Sequence, residues 1–246
     1  MKSILITPLL LISLITFTDC STSQQQTRET DPVNITAQAV LNRYIAAIGG
    51  KEIFEKMRDK IIVMSGTAVD QPIRIMIMQK TPDKLYQELQ AGEMKQTIIY
   101  DGTNGMMIVG DEQINIEDKE LERLKYDAFL RLPLDPEGYG IKTELQSNVE
   151  VDSIDCYKVT YTLPSGLKWF QYYSSESGLK IKEVKEIQTE QGVFEQETYY
   201  YDYREANGLK FPFSIKQHFG IQELDLNVTS IDINSGIEDE IFEIEK

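Results

Sequence analysis

The chain has 246 residues with 40 acidic against 25 basic side chains, a net charge of −15 at pH 7 and one histidine. An acidic surface repels nucleic acid and anionic lipid head groups, so neither is expected as an electrostatic partner. One histidine excludes HExxH-type zinc chemistry and leaves any serine or cysteine nucleophile a single candidate base, His218.

Residues 1–20, MKSILITPLLLISLITFTDC, read as a secretory leader: Lys2 precedes an apolar run from Ile4 to Phe17, interrupted by Thr7, Pro8, Ser13 and Thr16. The run is too short and too rich in hydroxyls for a membrane span. Cys20 follows, and residues 21–33 form a polar tether with nothing to bury. Leader, cysteine and tether resemble a bacterial lipoprotein signal, which implies lipidation of Cys20 and attachment to a membrane by that anchor only. The alternative is an ordinary leader cut near Ser23, releasing a soluble periplasmic protein. Residues 34–246 hold no second long apolar run and are expected to form one domain that does not cross a membrane.

A helix opens that domain. Asn34 or Thr36 can cap it, and Val40, Leu41, Tyr44, Ile45 and Ile48 make one apolar stripe that ends at Gly49-Gly50. A short second turn of helix, KEIFEKM, follows. Strands are expected near 60–69, 73–80, 84–90, 94–100, 106–109 and 113–116, separated by turn residues such as Pro82-Asp83, Ala91-Gly92 and Asp101-Gly102. The segment EDKELERLKYDAFL then returns to helical spacing, with Leu121, Leu124 and Ala128 on one face and charge on the other. After the Pro-rich loop LPLDPEGYG, strands resume near 141–149, 154–163, 167–174, 179–188, 193–203, 209–219 and 223–233, with Asn207-Gly208 as a tight hairpin turn. Short connections and the absence of any βαβ rhythm predict a mainly β fold: one large antiparallel sheet that must curl to bury a face, which the helices can cover.

Three groups of residues are candidates for function. Seven methionines other than Met1 (Met57, Met64, Met76, Met78, Met94, Met106 and Met107) fall in one stretch of about fifty residues. In the strand 73–78, alternation puts Ile73, Ile75 and Ile77 on one face and Arg74, Met76 and Met78 on the other, so both faces are largely apolar. Such residues suit either a loosely filled core or a cavity for flexible hydrophobic guests. Aromatic residues crowd the other half: Trp169, Phe170, Tyr172 and Tyr173 on one strand, and on another Tyr199, Tyr201 and Tyr203 facing opposite to Tyr200. Cross-strand packing accounts for them, with a carbohydrate platform as the sharper alternative. Cys156 reads as a buried structural thiol and His218 as a surface histidine. No phosphate loop or dinucleotide fingerprint occurs, and nothing marks two of the carboxylates as a catalytic pair, so no cofactor, metal or enzymatic activity is expected.

The segments AIGGKEIFEKM, TPDKLYQEL, YDGTNGMMI and NGLKFPFSI, in that order, resemble the outer-membrane lipoprotein-sorting family, the LolA-like proteins in their Bacteroidota form, over roughly Ala37 to Ile241. The resemblance implies a half-open β-barrel, one strongly curved antiparallel sheet covered by an N-terminal helix and a lid helix, whose cavity takes acyl chains. The function then expected is that of a non-enzymatic cell-envelope protein binding an acyl chain or other apolar ligand, of lipid or lipoprotein. The alternative is a partner-binding or sensory envelope module on the same fold. Met64, Met76, Met78, Met94 and Met106 are the expected cavity residues, with Leu121 and Leu124 of the lid. The expected location is the periplasm, anchored through Cys20.

Overall fold

The computed structural model describes residues 35–68, 71–189, 192–220 and 222–244; the leader, Cys20 and the tether lie outside these residues. Helix α1 (Ala37–Ala47) starts where Thr36 Oγ1 accepts the Ala39 N–H at 3.2 Å, satisfying one donor of the first turn. Val40, Leu41, Ile45 and Ile48 of the expected stripe are buried. Gly49 and Gly50 end the helix with φ of 134° and 95°, values that strain any residue carrying a Cβ. Gly49 also presses on the hairpin at Asn207-Gly208, where an added Cβ would stand 2.4 Å from the Gly208 carbonyl oxygen. The Lys210 N–H ties the same hairpin to the helix end by donating to the Ile48 carbonyl at 2.7 Å. A short helix α2 (Lys51–Glu55) follows and buries Phe54.

Every strand segment read from the sequence is present. β1 (Asp59–Ala68), β2 (Gln71–Lys80), β3 (Lys84–Ala91), β4 (Met94–Tyr100), β5 (Gly105–Val109) and β6 (Glu112–Ile116) form one meander. β7 (Lys142–Val151), β8 (Ile154–Thr162), β9 (Lys168–Ser174), β10 (Lys180–Thr189), β11 (Gly192–Ala206), β12 (Leu209–Phe219) and β13 (Gln222–Ile233) form a second. The meanders join where β1 pairs with β13, from Lys60 opposite Ile233 to Thr67 opposite Asp225. The result is a single 13-stranded antiparallel sheet with β6 and β7 as its two edges, an open half-barrel. Asn207 and Gly208, with φ of 53° and 80°, make the two-residue turn whose backbone twist suits the flanking strands.

Between β6 and β7 the chain passes over the concave side as α3 (Asp118–Ala128), which touches β3, β4 and β10 and so spans both meanders. Leu124 and Ala128 are buried against Leu85 and Tyr100, with Leu121 packed beside them. α1 packs over the second meander, on Val159, Tyr161, Trp169 and Tyr173. A separate small cluster of Val151, Cys156 and Ile181 lies on the convex side, and Cys156 is the buried free thiol that was expected. At the other end of the chain a 3-10 turn (Asp239–Phe242) docks on the convex side beside β3. Lys80 pairs with Asp239 at 2.9 Å and donates to the Ile237 carbonyl at 2.6 Å, and Phe242 is buried there. Among the described residues no helix is long and apolar enough to cross a membrane.

Candidate ligand cavity

The curled sheet and its helices enclose a cavity of about 570 Å³. Its two walls differ in chemistry. One is mainly apolar and comes from the first meander and the last two strands: Met64, Ile75, Ile77, Leu85 and Ile98, with Ile215 and Leu226 across the β1–β13 seam and Lys60, Gln79, Gln87 and Gln217 as its polar members. The alternation of β2 places Ile75 and Ile77 there as expected from the sequence. The opposite wall, formed by β9, β10 and α3, is charged.

Glu183 is the centre of that wall. It is 6% exposed, pairs with Lys180 at 3.1 Å and Lys185 at 3.2 Å, and accepts the Gln171 Nε2–H at 2.7 Å. Burial opposes its ionisation, but the two ammonium groups overcome that cost and hold its pKa down to about 2. Lys185 also reaches Asp127 at 2.6 Å and lies 4.4 Å from the centre of the Trp169 ring. Burial alone would drive Lys185 toward its neutral form, yet Asp127 and Glu183 raise its pKa and keep it charged. Arg123 completes the chain of charges by pairing with both Asp127 and Glu120. Asp127 therefore fastens α3 to both halves of the barrel, since its carboxylate binds Lys185 on β10 while its carbonyl accepts the Gln79 Nε2–H of β2 at 2.6 Å.

The folded-state pKa of Glu183 lies below its ordinary value, so its stabilisation is fully present above about pH 4.5 and fades as pH falls toward 2. About 3 kcal/mol is at stake. Urea denaturation should find Glu183→Gln clearly weaker than wild type at pH 6, and the two proteins converging below pH 3. A gap that stays constant across that range would show that the carboxylate is not ionised against its two lysines.

The expected site residues scatter. Met64 is on the cavity wall. Met76 and Met78 face the opposite way, on the convex side opposite Glu88 and Tyr86, because the odd residues of β2 take the cavity face. Met106 is opposite Ile99, whose neighbour Ile98 points into the cavity, so Met106 too is on the convex side; Met94 is 49% exposed at the start of β4. Leu121 and Leu124 pin the lid helix to Leu85 and Tyr100 instead of lining the cavity, and α3 turns Arg123, Tyr126 and Asp127 toward it. Cys20 lies outside the described residues.

The aromatic residues that do line the cavity include Tyr126, Trp169, Tyr200 and Tyr203. Simple alternation would separate Tyr200 from Tyr203, but Asp202 takes a left-handed φ of 53° and turns Tyr203 inward, where its hydroxyl donates to the Lys180 carbonyl at 2.8 Å. Tyr199 and Tyr201 stay on the convex side and stack, with ring centres 6.5 Å apart. His218 is beside Tyr199 and Glu223 on that same side, away from the cavity.

No protein-family model matches the chain, and comparison with curated proteins gives no match. Solved structures do match its fold. A LolA superfamily protein from Nitrosomonas europaea aligns over 85% of this chain and 98% of its own, with a TM-score of 0.58 and 16% identity. An outer membrane lipoprotein-sorting protein domain from Vibrio parahaemolyticus aligns over 83% of this chain and 95% of its own, with a TM-score of 0.53 and 9% identity. The resemblance read from four short sequence segments is thus met by the backbone: this chain has the open half-barrel fold of the LolA-like proteins.

Proposed function

We propose that this protein is a non-enzymatic component of the cell envelope that holds an acyl chain, or another long apolar ligand, inside the half-barrel. The observation that carries the reading is the cavity itself. A volume of about 570 Å³ is ample for a small ligand, and one wall of it is built mainly from Met, Ile and Leu side chains. Apolar side chains left around open space gain burial when a hydrocarbon fills it, at about 25 cal/mol per Å² removed from water. The solved relatives in fold, a LolA superfamily protein and a lipoprotein-sorting domain, support the same reading. Protein purified from its native membrane fraction should carry an extractable lipid or acyl species that mass spectrometry identifies. Protein that is empty from every preparation, with one envelope protein co-purifying in its place, would instead favour a partner-binding module.

The leader and Cys20 support a periplasmic protein anchored by a lipid. Cys20→Ala should move the protein from the membrane pellet to the soluble periplasmic fraction. A wild type already soluble, beginning near Ser23, would remove the anchor from the account.

A further inference from the structure

Resting on the reading of the cavity as an acyl-chain site, we propose that its ligand is an amphiphile with an anionic head, a carboxylate or a phosphate, and that Lys60 pairs with that head. Lys60, second residue of β1, lies at the end of the mainly apolar wall, on the same face as Met64 and opposite Gln79 of β2. The cavity's other enclosed cations are all paired within the protein: Arg123 with Glu120 and Asp127, Lys180 with Glu183, and Lys185 with Asp127 and Glu183. Among the described residues Lys60 has no carboxylate within ion-pair distance, and the charge that acts on it is another cation, Lys180. Burial, with Lys180 adding repulsion, pushes its pKa down to about 8, so at neutral pH the ammonium persists against both.

The balance of charge around the cavity points the same way. Lys60, Arg123, Lys180, Lys185 and the exposed Lys210 line the cavity against two lining carboxylates, Asp127 and Glu183, with Glu120 serving Arg123 from outside it, in a chain whose net charge is −15. The acidic composition that argues against anionic lipid at the surface therefore reverses inside, where positive charge is in excess. A neutral guest would leave Lys60 without a counter-charge. An anionic head within reach of it forms a charge-assisted hydrogen bond while the attached chain covers Met64, Ile75 and Ile77.

Competition against a fluorescent apolar probe, using laurate, dodecanol and a lauroyl lysophosphatidate, separates the possibilities. Wild type should bind an anionic form about tenfold or more tightly than dodecanol. The tighter of laurate and lysophosphatidate identifies the head as carboxylate or phosphate. Lys60→Met should erase the preference by weakening both anions about tenfold relative to dodecanol, while Lys60→Arg should retain it; Lys60→Gln serves if the methionine variant does not fold. Equal affinity for dodecanol and both anions, or a preference that survives Lys60→Met, overturns the inference and leaves the apolar site intact. Failure of every amphiphile and of the probe overturns the carrier reading as well.

Discussion

Replacing Lys185 by methionine should lower the melting midpoint by about 10 °C, equivalent to about 3 kcal/mol in a domain of this size. One ammonium there serves two carboxylates, Asp127 at 2.6 Å and Glu183 at 3.2 Å, and all three side chains are largely shielded from water. Removing it leaves two buried anions that share only Arg123 and Lys180, and a buried charge without its full complement of partners is among the most destabilising defects a core can carry. Asp127→Leu combined with Lys185→Met should cost less than the sum of the single changes, because the first removes part of what the second strands. Lys51→Met, which breaks the exposed pair with Glu55, should shift the midpoint by no more than about 2 °C. A Lys185→Met protein that melts with wild type would mean that α3 is not fastened to β10 by this network.

Two adjacent residues of β2 should respond in opposite ways to the same substitution. Ile75→Asp puts a carboxylate into the apolar wall beside Met64 and Leu226, where neither a cation nor a hydrogen-bond donor is provided, and should cost about 4 kcal/mol or unfold the domain. Met76→Asp points to the convex side near Glu88, Arg74 and Lys95, where water and two cations are within reach, and should cost about 1 kcal/mol. Binding of an apolar probe should be unchanged in Met76→Asp. Ile77→Gln, a milder change on the cavity face, should keep the fold and weaken the probe about tenfold through lost apolar contact. Circular dichroism with probe titration reads all three. Weakened binding in Met76→Asp together with intact binding in Ile77→Gln would reverse the assignment of the two faces.

The strands were legible because each is bounded by residues with a mechanical reason to turn, Asn207-Gly208 most plainly, and because the spacing between neighbours admits only antiparallel pairing. The helices were legible from their stripes and from Gly49-Gly50. The site was harder to read, for three local reasons. First, both faces of β2 are apolar, and the methionines of one face read as cavity when that face is convex. The C-terminal 3-10 turn docks there on Lys80, two residues from Met78 on the same side, through a contact of high sequence separation that no local pattern announces. Second, β10 carries a bulge, since Lys180 pairs with Tyr173 but Lys182 with Tyr172. This shift lets Lys180 share the cavity face with Glu183 and Lys185, whereas strict alternation would separate Lys180 from Glu183. Third, the left-handed Asp202 carries Tyr203 across to join Tyr200. Alternation predicts faces well only where the ladder is regular, and this cavity is built at its irregularities. Asp127 had no signal of its own, because only the fold brings it between Gln79 and Lys185.

Whether an acyl chain enters the half-barrel can be read at Trp169. It is the only tryptophan in the chain, and its indole is buried in the cavity wall beside Lys185. A bromine-substituted acyl chain quenches indole fluorescence only by contact, so emission during titration with dibromostearate reports on this wall alone. Quenching should saturate at a stoichiometric end point and be reversed by an excess of the unbrominated chain. Emission that stays constant while the chain binds elsewhere, or quenching that remains linear in added ligand, would contradict entry into the half-barrel.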